Sequence, residues 1–439
     1  MPDIRRFDGV LQPASAFFGA VVAGLLLMAP LDLGWSNDAP LELDLLVMNM
    51  PRAAAAGGMF AVIAAALAVA LGRRTAWIVS FGSAAVLAAD HLWNMRSALS
   101  GTLITVNYID AIFGGILLGA LAVAVFGKPI ATGAYLLGAV VSITVGDLTA
   151  LPAPGAESRT LIEWASSGTP PLWMILATVV LLALGALGER VDPAADPAEN
   201  ADLPIGPILA ALLLVGATAF STDWYVRHAD TFAQTALAVG VTVLAALGAA
   251  LLLPGRDGVL VLLAVAVTNS GSSIFTVPRP DWSAPLPIIA VAIGWYAGRR
   301  AHLPWAVFAG TGALAVFAST TAGSAHHAIL IPLIGITGLG FLMGYCFAGH
   351  TPRNAPSMVV ALAALVVPCL VIAVRGSGFG RVAYSPRWYR DPSSITSSTP
   401  GWVALAVTLG CAAGLALLYR WRSADHLPKR PSTQLSASA

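Results

Sequence analysis

The chain has 439 residues, 57% of them hydrophobic and only 10% charged, with a mean hydropathy of +0.80. Soluble domains run near a quarter charged, so this much apolar surface has to be covered by lipid, and a soluble globular protein is excluded. A formal net charge of +1 excludes nucleic-acid binding driven by excess positive charge. Lysine occurs only at Lys128 and Lys429 and arginine supplies the other basic groups, the usage of a GC-rich genome. A multi-pass protein of a bacterial inner (plasma) membrane is the expectation. Cys346, Cys369 and Cys411 all fall in apolar runs, which predicts neither a disulfide framework nor a metal cage.

A helix needs about 20 mainly apolar residues to cross a bilayer core. That ruler predicts fourteen spans, at about 14–34, 53–72, 75–95, 107–127, 129–150, 171–189, 204–223, 231–253, 258–276, 284–298, 303–322, 326–348, 355–374 and 401–420. The first is read as a spanning helix rather than a signal peptide, because its apolar run is long and no small-x-small cleavage site follows. With both termini cytoplasmic, 14 of the 23 lysines and arginines fall on the inside, most clearly in the short loops where that bias sets orientation.

The chain also repeats itself. Gly72-Arg73-Arg74 and Gly298-Arg299-Arg300 both sit between apolar runs, 226 positions apart. Lys128 and Arg353 each open the following cytoplasmic turn, 225 apart. The text around "SSGTPPLW" and "SSTPGW" then closes each copy. The expected fold is an all-α polytopic membrane protein with two six-helix pseudo-repeats and an inserted pair. Its units are a first bundle at 1–190, a polar linker at 191–203, the helix pair at 204–257, a second bundle at 258–422 and a disordered tail at 423–439.

This layout resembles the major facilitator superfamily in its fourteen-helix form, typical of drug and lipid antiporters. In that family two six-helix halves are related by an axis along the membrane normal. Gly72, Arg73 and Arg74 match the end of the family's motif between helices 2 and 3, and Gly298, Arg299 and Arg300 echo it. Val69 and Trp295 stand where the family has Asp, and Ala70 and Tyr296 where it has the first Arg. Asp110, four residues before Gly114, stands where the family's helix 4 carries a basic residue. The resemblance implies alternating access around a central site.

Ionisable groups inside hydrocarbon are costly, and each is a candidate for function. Asp90 lies roughly 22 Å along the third helix at 1.5 Å per residue. Asp110, Asp147 and Asp32 fall near the outer ends of helices 4, 5 and 1, so four carboxylates can converge on one outer vestibule. Carboxylates gathered in low dielectric raise one another's proton affinity, which makes them candidates for proton coupling, with His91, His326 and His327 beside them. The bland alternative is solvated headgroup-level side chains. In the ninth span "TNSGSS", Thr268–Ser273, interrupts an apolar run. Small polar residues with Gly loosen a helix, so Asn269, Ser270 and Ser272 are candidates for substrate binding, although Ser and Gly also pack helices together. Trp35, Trp93, Trp173, Trp282 and Trp388 fit an aromatic belt. The outer loop with Arg375, Arg381, Arg387 and Arg390 is basic enough to meet anionic headgroups.

No nucleotide loop, metal-ligand spacing or nucleophile motif is legible, so neither an enzyme nor a cofactor is expected. The favoured function is secondary transport of a small apolar or lipid-like molecule, with the bilayer itself and that substrate as partners. The alternatives are a non-catalytic subunit of envelope machinery and a polyprenyl-linked glycosyltransferase. The latter would draw on Asp32, Asp38, Glu42 and Asp44 in the first outer loop.

Overall fold

The structure is a computed structural model. It describes residues 3–28, 40–94, 103–148, 170–188, 203–228, 231–274, 283, 285–301, 303–322, 330–350, 352–376 and 397–424. Fifteen helices are present among the described residues, and no strand. The first six are α1 (Asp3–Met28), α2 (Pro40–Leu71), α3 (Arg73–Asn94), α4 (Leu103–Val125), α5 (Pro129–Leu148) and α6 (Leu172–Gly188). Then come α7 (Ile205–His228) and α8 (Phe232–Leu252). The rest are α9 (Gly258–Ser273), α10 (Pro285–Arg300), α11 (Pro304–Thr321), α12 (Leu330–Gly349), α13 (Ala355–Val366), α14 (Leu370–Gly376) and α15 (Thr399–Ala424). Each stretch expected from the sequence overlaps a helix among the described residues, α13 and α14 forming one stretch broken in the middle.

Among the described residues, nine helical stretches are long and apolar enough to cross a membrane, and shorter apolar helices lie within α5, α6 and α9. The protein is a membrane-embedded helical protein. Two boundaries differ from expectation. α1 starts at Asp3 and α2 at Pro40, so Glu42 and Asp44 are helical rather than part of a loop. A polar stretch at a membrane surface can continue a helix that the hydrophobic ruler stops counting.

Helix pairing is strongly patterned. α2 packs on α4, α1 on α5, α4 and α6, and α3 on α4 and α6. The later helices pair in the same way: α10 on α12, α9 on α13, α12 and α15, and α11 on α12 and α15. The two sets meet through α13 against α2 and α4, and through α5 against α10 and α12. α7 packs on α8, α2, α13 and α14, while α8 reaches α9 and α15. As a result the stretch Ala355–Arg375 is buried throughout its apolar window, although it is the most apolar of the candidate spans.

The tightest pairings rest on glycine. A Cβ on Gly115 or Gly119 of α4 would collide with the carbonyl oxygens of Gly57 and Ala61 on α2. A Cβ on Gly340 or Gly344 of α12 would likewise meet Pro287 and Val291 on α10. Both helices carry Gly-x-x-x-Gly, 225 positions apart, and both bring their backbone onto carbonyls four residues apart on the facing helix. Close backbone approach of this kind supplies packing where lipid removes the hydrophobic drive between helices.

The two Gly-Arg-Arg stretches divide the work differently. Gly72 has φ +90° and lets the chain turn from α2 into α3. Gly298 is inside α10, pressed against the Tyr345 backbone. Arg73 Nε donates to Ala124 O at 2.7 Å, at the C-terminal end of α4 where carbonyls lack helical partners. In the later set Tyr345 of α12 holds the corresponding turn, donating from its hydroxyl to Ala301 O and accepting from Leu303 N at 3.1 Å. On the same side Arg422 donates to Leu253 O at 2.6 Å, and Asp257 Oδ1 accepts from Arg353 N at 3.0 Å.

The glycine contacts yield a paired test. Gly119→Val should destabilise the protein by roughly 1–3 kcal/mol through overpacking at α2. Gly82→Ala, where a Cβ meets nothing within 4 Å, should stay within about 0.5 kcal/mol of the parent. Thermal unfolding in detergent separates them, and equal melting of the two variants would contradict the close-approach account.

Candidate functional site

Two polar groups stand out within the apolar interior. The first lies where α3 ends and α4 begins. Asp90 and His91 occupy the last turns of α3, and Asp110 lies two turns into α4, about 10 Å from its start at 1.5 Å per residue. α3 packs along α4, which brings the three side chains together. Each offers a ligand atom, and these atoms lie within 4.8 Å of one another. Asp110 is fully buried, and neither of its carboxylate oxygens accepts a hydrogen bond among the described residues. His91 is beside it, with Nδ1 3.7 Å from Oδ1. That is too long for a hydrogen bond. His91 Nδ1 instead lies 3.1 Å from Leu87 O, one turn back. Asn107, one turn before Asp110, is also buried, and its Nδ2 has no partner among the described residues.

A buried carboxylate without donors needs a compensating positive charge or a proton. A cation or a proton would meet that need, and the partly exposed His91 marks the side nearer the surface. Of the four acids expected to converge, Asp90 and Asp110 meet, together with His91, while Asp147 lies in the last turn of α5. Asp32, His326 and His327 lie outside the described residues, as do Arg381, Arg387 and Arg390.

The second group is the polar end of α9. The expected loosening of Thr268–Ser273 does not occur: α9 stays helical to Ser273. The reason is local, because its polar side chains fold back onto the helix. Thr268 Oγ1 donates to Ala264 O at 2.8 Å, Asn269 Nδ2 to Val265 O at 2.9 Å, and Ser273 Oγ to Ser270 O at 2.7 Å. Ser270 Oγ and Thr408 Oγ1 of α15 are 3.2 Å apart, a hydrogen bond between helices.

The broken backbone lies opposite, at Val367-Pro368-Cys369 between α13 and α14, where no break was expected. Proline has no N–H to give the carbonyl four residues back, Ala364 O. The one Thr268 hydroxyl proton is shared, reaching Ala264 O at 2.8 Å and Ala364 O at 3.2 Å. Arg375, expected in an outer loop facing headgroups, is in α14. Its Nη1 donates to Ser272 O at 2.6 Å and Ile274 O at 3.1 Å, holding the C-terminal end of α9. A proline inside the run "ALAALVVPCLVIAV" was the available signal for this break.

Two clefts flank the contact between Thr268 and the broken span. One, about 320 Å³ in all, reaches Met28 of α1 and Ile143 of α5 on one wall. Its other wall has Thr268, Ser272, Leu339 and Met343. Its free interior has room for about one water molecule. The second, about 260 Å³, lies against α7 and is lined by Leu214, Thr218, Asn269 and Pro368. Asn269 is buried, and its Oδ1 is without a hydrogen-bond partner among the described residues. Of the three expected substrate contacts, Asn269 and Ser272 line clefts, whereas Ser270 bonds to α15.

Thr268→Val should leave Ala364 O buried and unpaired, at about 1–3 kcal/mol, while Thr268→Ser should keep most of that stability. Thermal melting of both variants measures this, and indistinguishable Val and Ser variants would remove Thr268 as the brace. The chain matches no protein-family model, and no curated protein is significantly similar to it.

Proposed function

We propose that the chain is a secondary transporter of the major facilitator type. Its two moving units are α1–α6 and α9–α15, and α7 and α8 are an inserted pair. The observation that carries this reading is the recurrence of one pairing scheme in both sets of helices, joined crosswise by α13 on α2 and α5 on α10. Two like bundles meeting along a seam can rock about it, and the site belongs at that seam. The larger cleft is there, with walls from α1 and α5 on one side and α9, α12, α13 and α14 on the other.

The chemistry of the cleft selects the cargo. Its walls are Met, Ile, Val and Leu side chains with Thr268 and Ser272 as the polar exceptions, and no charged side chain lines it among the described residues. Such a surface favours a small apolar or amphiphilic, lipid-like molecule carrying a hydroxyl or similar polar end. Ligand pockets that bury a drug-sized molecule run to several hundred Å³ of usable space. With room for about one water, the described conformation is a closed one, and cargo enters only when the seam opens. The cation-accepting group at Asp90, His91 and Asp110 sits in the first bundle alone, where its occupancy can bias that opening. The setting is a bacterial inner membrane with both chain ends in the cytoplasm. No bond is made or broken, so no catalytic residue is assigned.

Spin labels test the rocking. Gly133 of α5 lies beside Trp295 of α10, so the α4–α5 turn and the α10–α11 turn share one side of the molecule. Labels at Ile130 and Leu303 report that side, and labels at Leu92 and Leu330 the other; all four positions are exposed. The native cysteines are buried and spare the labelling chemistry. We expect two distance populations on each side, the long one on the first side accompanying the short one on the second. A single unchanging distance on both sides, in vesicles with and without ion gradients, would sink the transporter reading.

A further inference from the structure

We propose that Asp90, His91 and Asp110 form a binding site for a divalent transition-metal cation of the zinc class. The spacing along the chain does not announce it, since the ligands come from adjacent positions on α3 and from a helix some twenty residues on. The packing of α3 on α4 assembles it. Three groups of metal-binding chemistry, two carboxylates and an imidazole, place their ligand atoms within 4.8 Å of one another. Two ligands held about 2.1 Å from one zinc ion in tetrahedral geometry stand about 3.4 Å apart. His91 Nδ1 and Asp110 Oδ1 stand 3.7 Å apart, so a shift of a few tenths of an ångström brings both onto one ion.

Asp110 supplies the independent argument. It is wholly buried, and both its oxygens go without a hydrogen bond among the described residues. Native folds seldom leave a buried carboxylate in that state unless something further occupies its lone pairs. A divalent ion satisfies them and supplies the missing positive charge in one step. His91 can turn to the task cheaply. Leu87 O, the present partner of its Nδ1, also stands at the helical acceptor position for the His91 backbone N–H. On binding, the imidazole carries its proton on Nε2 and presents Nδ1 to the ion.

The donor set narrows the class. Imidazole with carboxylates suits zinc, manganese, iron or cobalt, whereas calcium and magnesium prefer oxygen throughout. Three protein ligands leave coordination positions for water on the side where Asp90 and His91 are partly exposed. An ion held in this way has a route in and out.

The purified full-length chain in detergent, titrated with Co²⁺ alone, tests the site without any transport measurement. We expect one Co²⁺ per chain, visible ligand-field absorption, and displacement by Zn²⁺. Asp110→Asn and His91→Gln should each weaken Co²⁺ binding at least tenfold while leaving helical circular dichroism unchanged. If Asp110→Asn fails to fold, His91→Gln carries the same comparison, because the His91 side chain is partly exposed and Gln keeps a polar group of similar reach there. Absence of stoichiometric Co²⁺ binding to the parent overturns the proposal. So does equal binding by the parent and a folded His91→Gln. Either result leaves the rocking of the bundles to be judged on the spin-label distances.

Discussion

Everything in this molecule hangs on how closely one helix backbone can approach another. In lipid, an apolar side chain gains little by leaving the hydrocarbon for a neighbouring helix, so association has to come from contact itself. Gly115 and Gly119 bring α4 onto the carbonyls of α2, and Gly340 and Gly344 do the same for α12 on α10. These crossings set the frame of each set of helices. Once α4 is fixed against α2, its Asp110 face turns to α3, and the Asp90–His91 end is brought within reach. The seam between the sets inherits its geometry from the same crossings, because α13 packs on both α2 and α4.

A second demand, that no backbone polar group be abandoned, explains most of the side-chain bonds around the clefts. Hydrocarbon offers no water to a freed carbonyl. Pro368 frees one at Ala364, and Thr268 is beside it; α9 ends at Ser273, and Arg375 takes its last carbonyls. Arg73 and Arg422 do the same for α4 and α8 on the opposite side. Arginine suits this work, since its planar fork serves more than one acceptor and its charge matches the negative end of a helix. Basic residues that hydropathy reads only as orientation signals are thus also helix caps.

Much of the fold was legible in the sequence, and the reasons for the exceptions are physical. The hydrophobic ruler located the helices because crossing length and apolar composition are set by the bilayer, whatever the tertiary contacts. It missed the starts of α1 and α2, where polar residues such as Glu42 continue a helix. The Gly-Arg-Arg pair was visible as text, but its glycines do different things: Gly72 turns the chain and Gly298 admits a neighbouring helix. The more informative repeat, Gly115-x-x-x-Gly119 with Gly340-x-x-x-Gly344, is hidden among the 43 glycines of the chain until the contacts single it out. Asp90 and Asp110 could be named because charge in a span is rare. That Asp110 is the buried member depends on what surrounds it. The role of Thr268 was out of reach, since its partner Ala364 is 96 positions away and is orphaned only by the proline that follows.

The burial of Ala355–Arg375 has a consequence for how the protein is made. This span touches α2, α4, α7 and α9, all of which leave the ribosome before it does. Until it arrives, the inner faces of those helices have only lipid or one another to cover them. The most hydrophobic segment is therefore a late-arriving central post, around which helices already in the bilayer have to close. The span has contacts with helices both early and late in the chain, so its packing has to wait for both. A chain truncated before residue 355 would be left with a vacant middle, whatever the soundness of its first six helices.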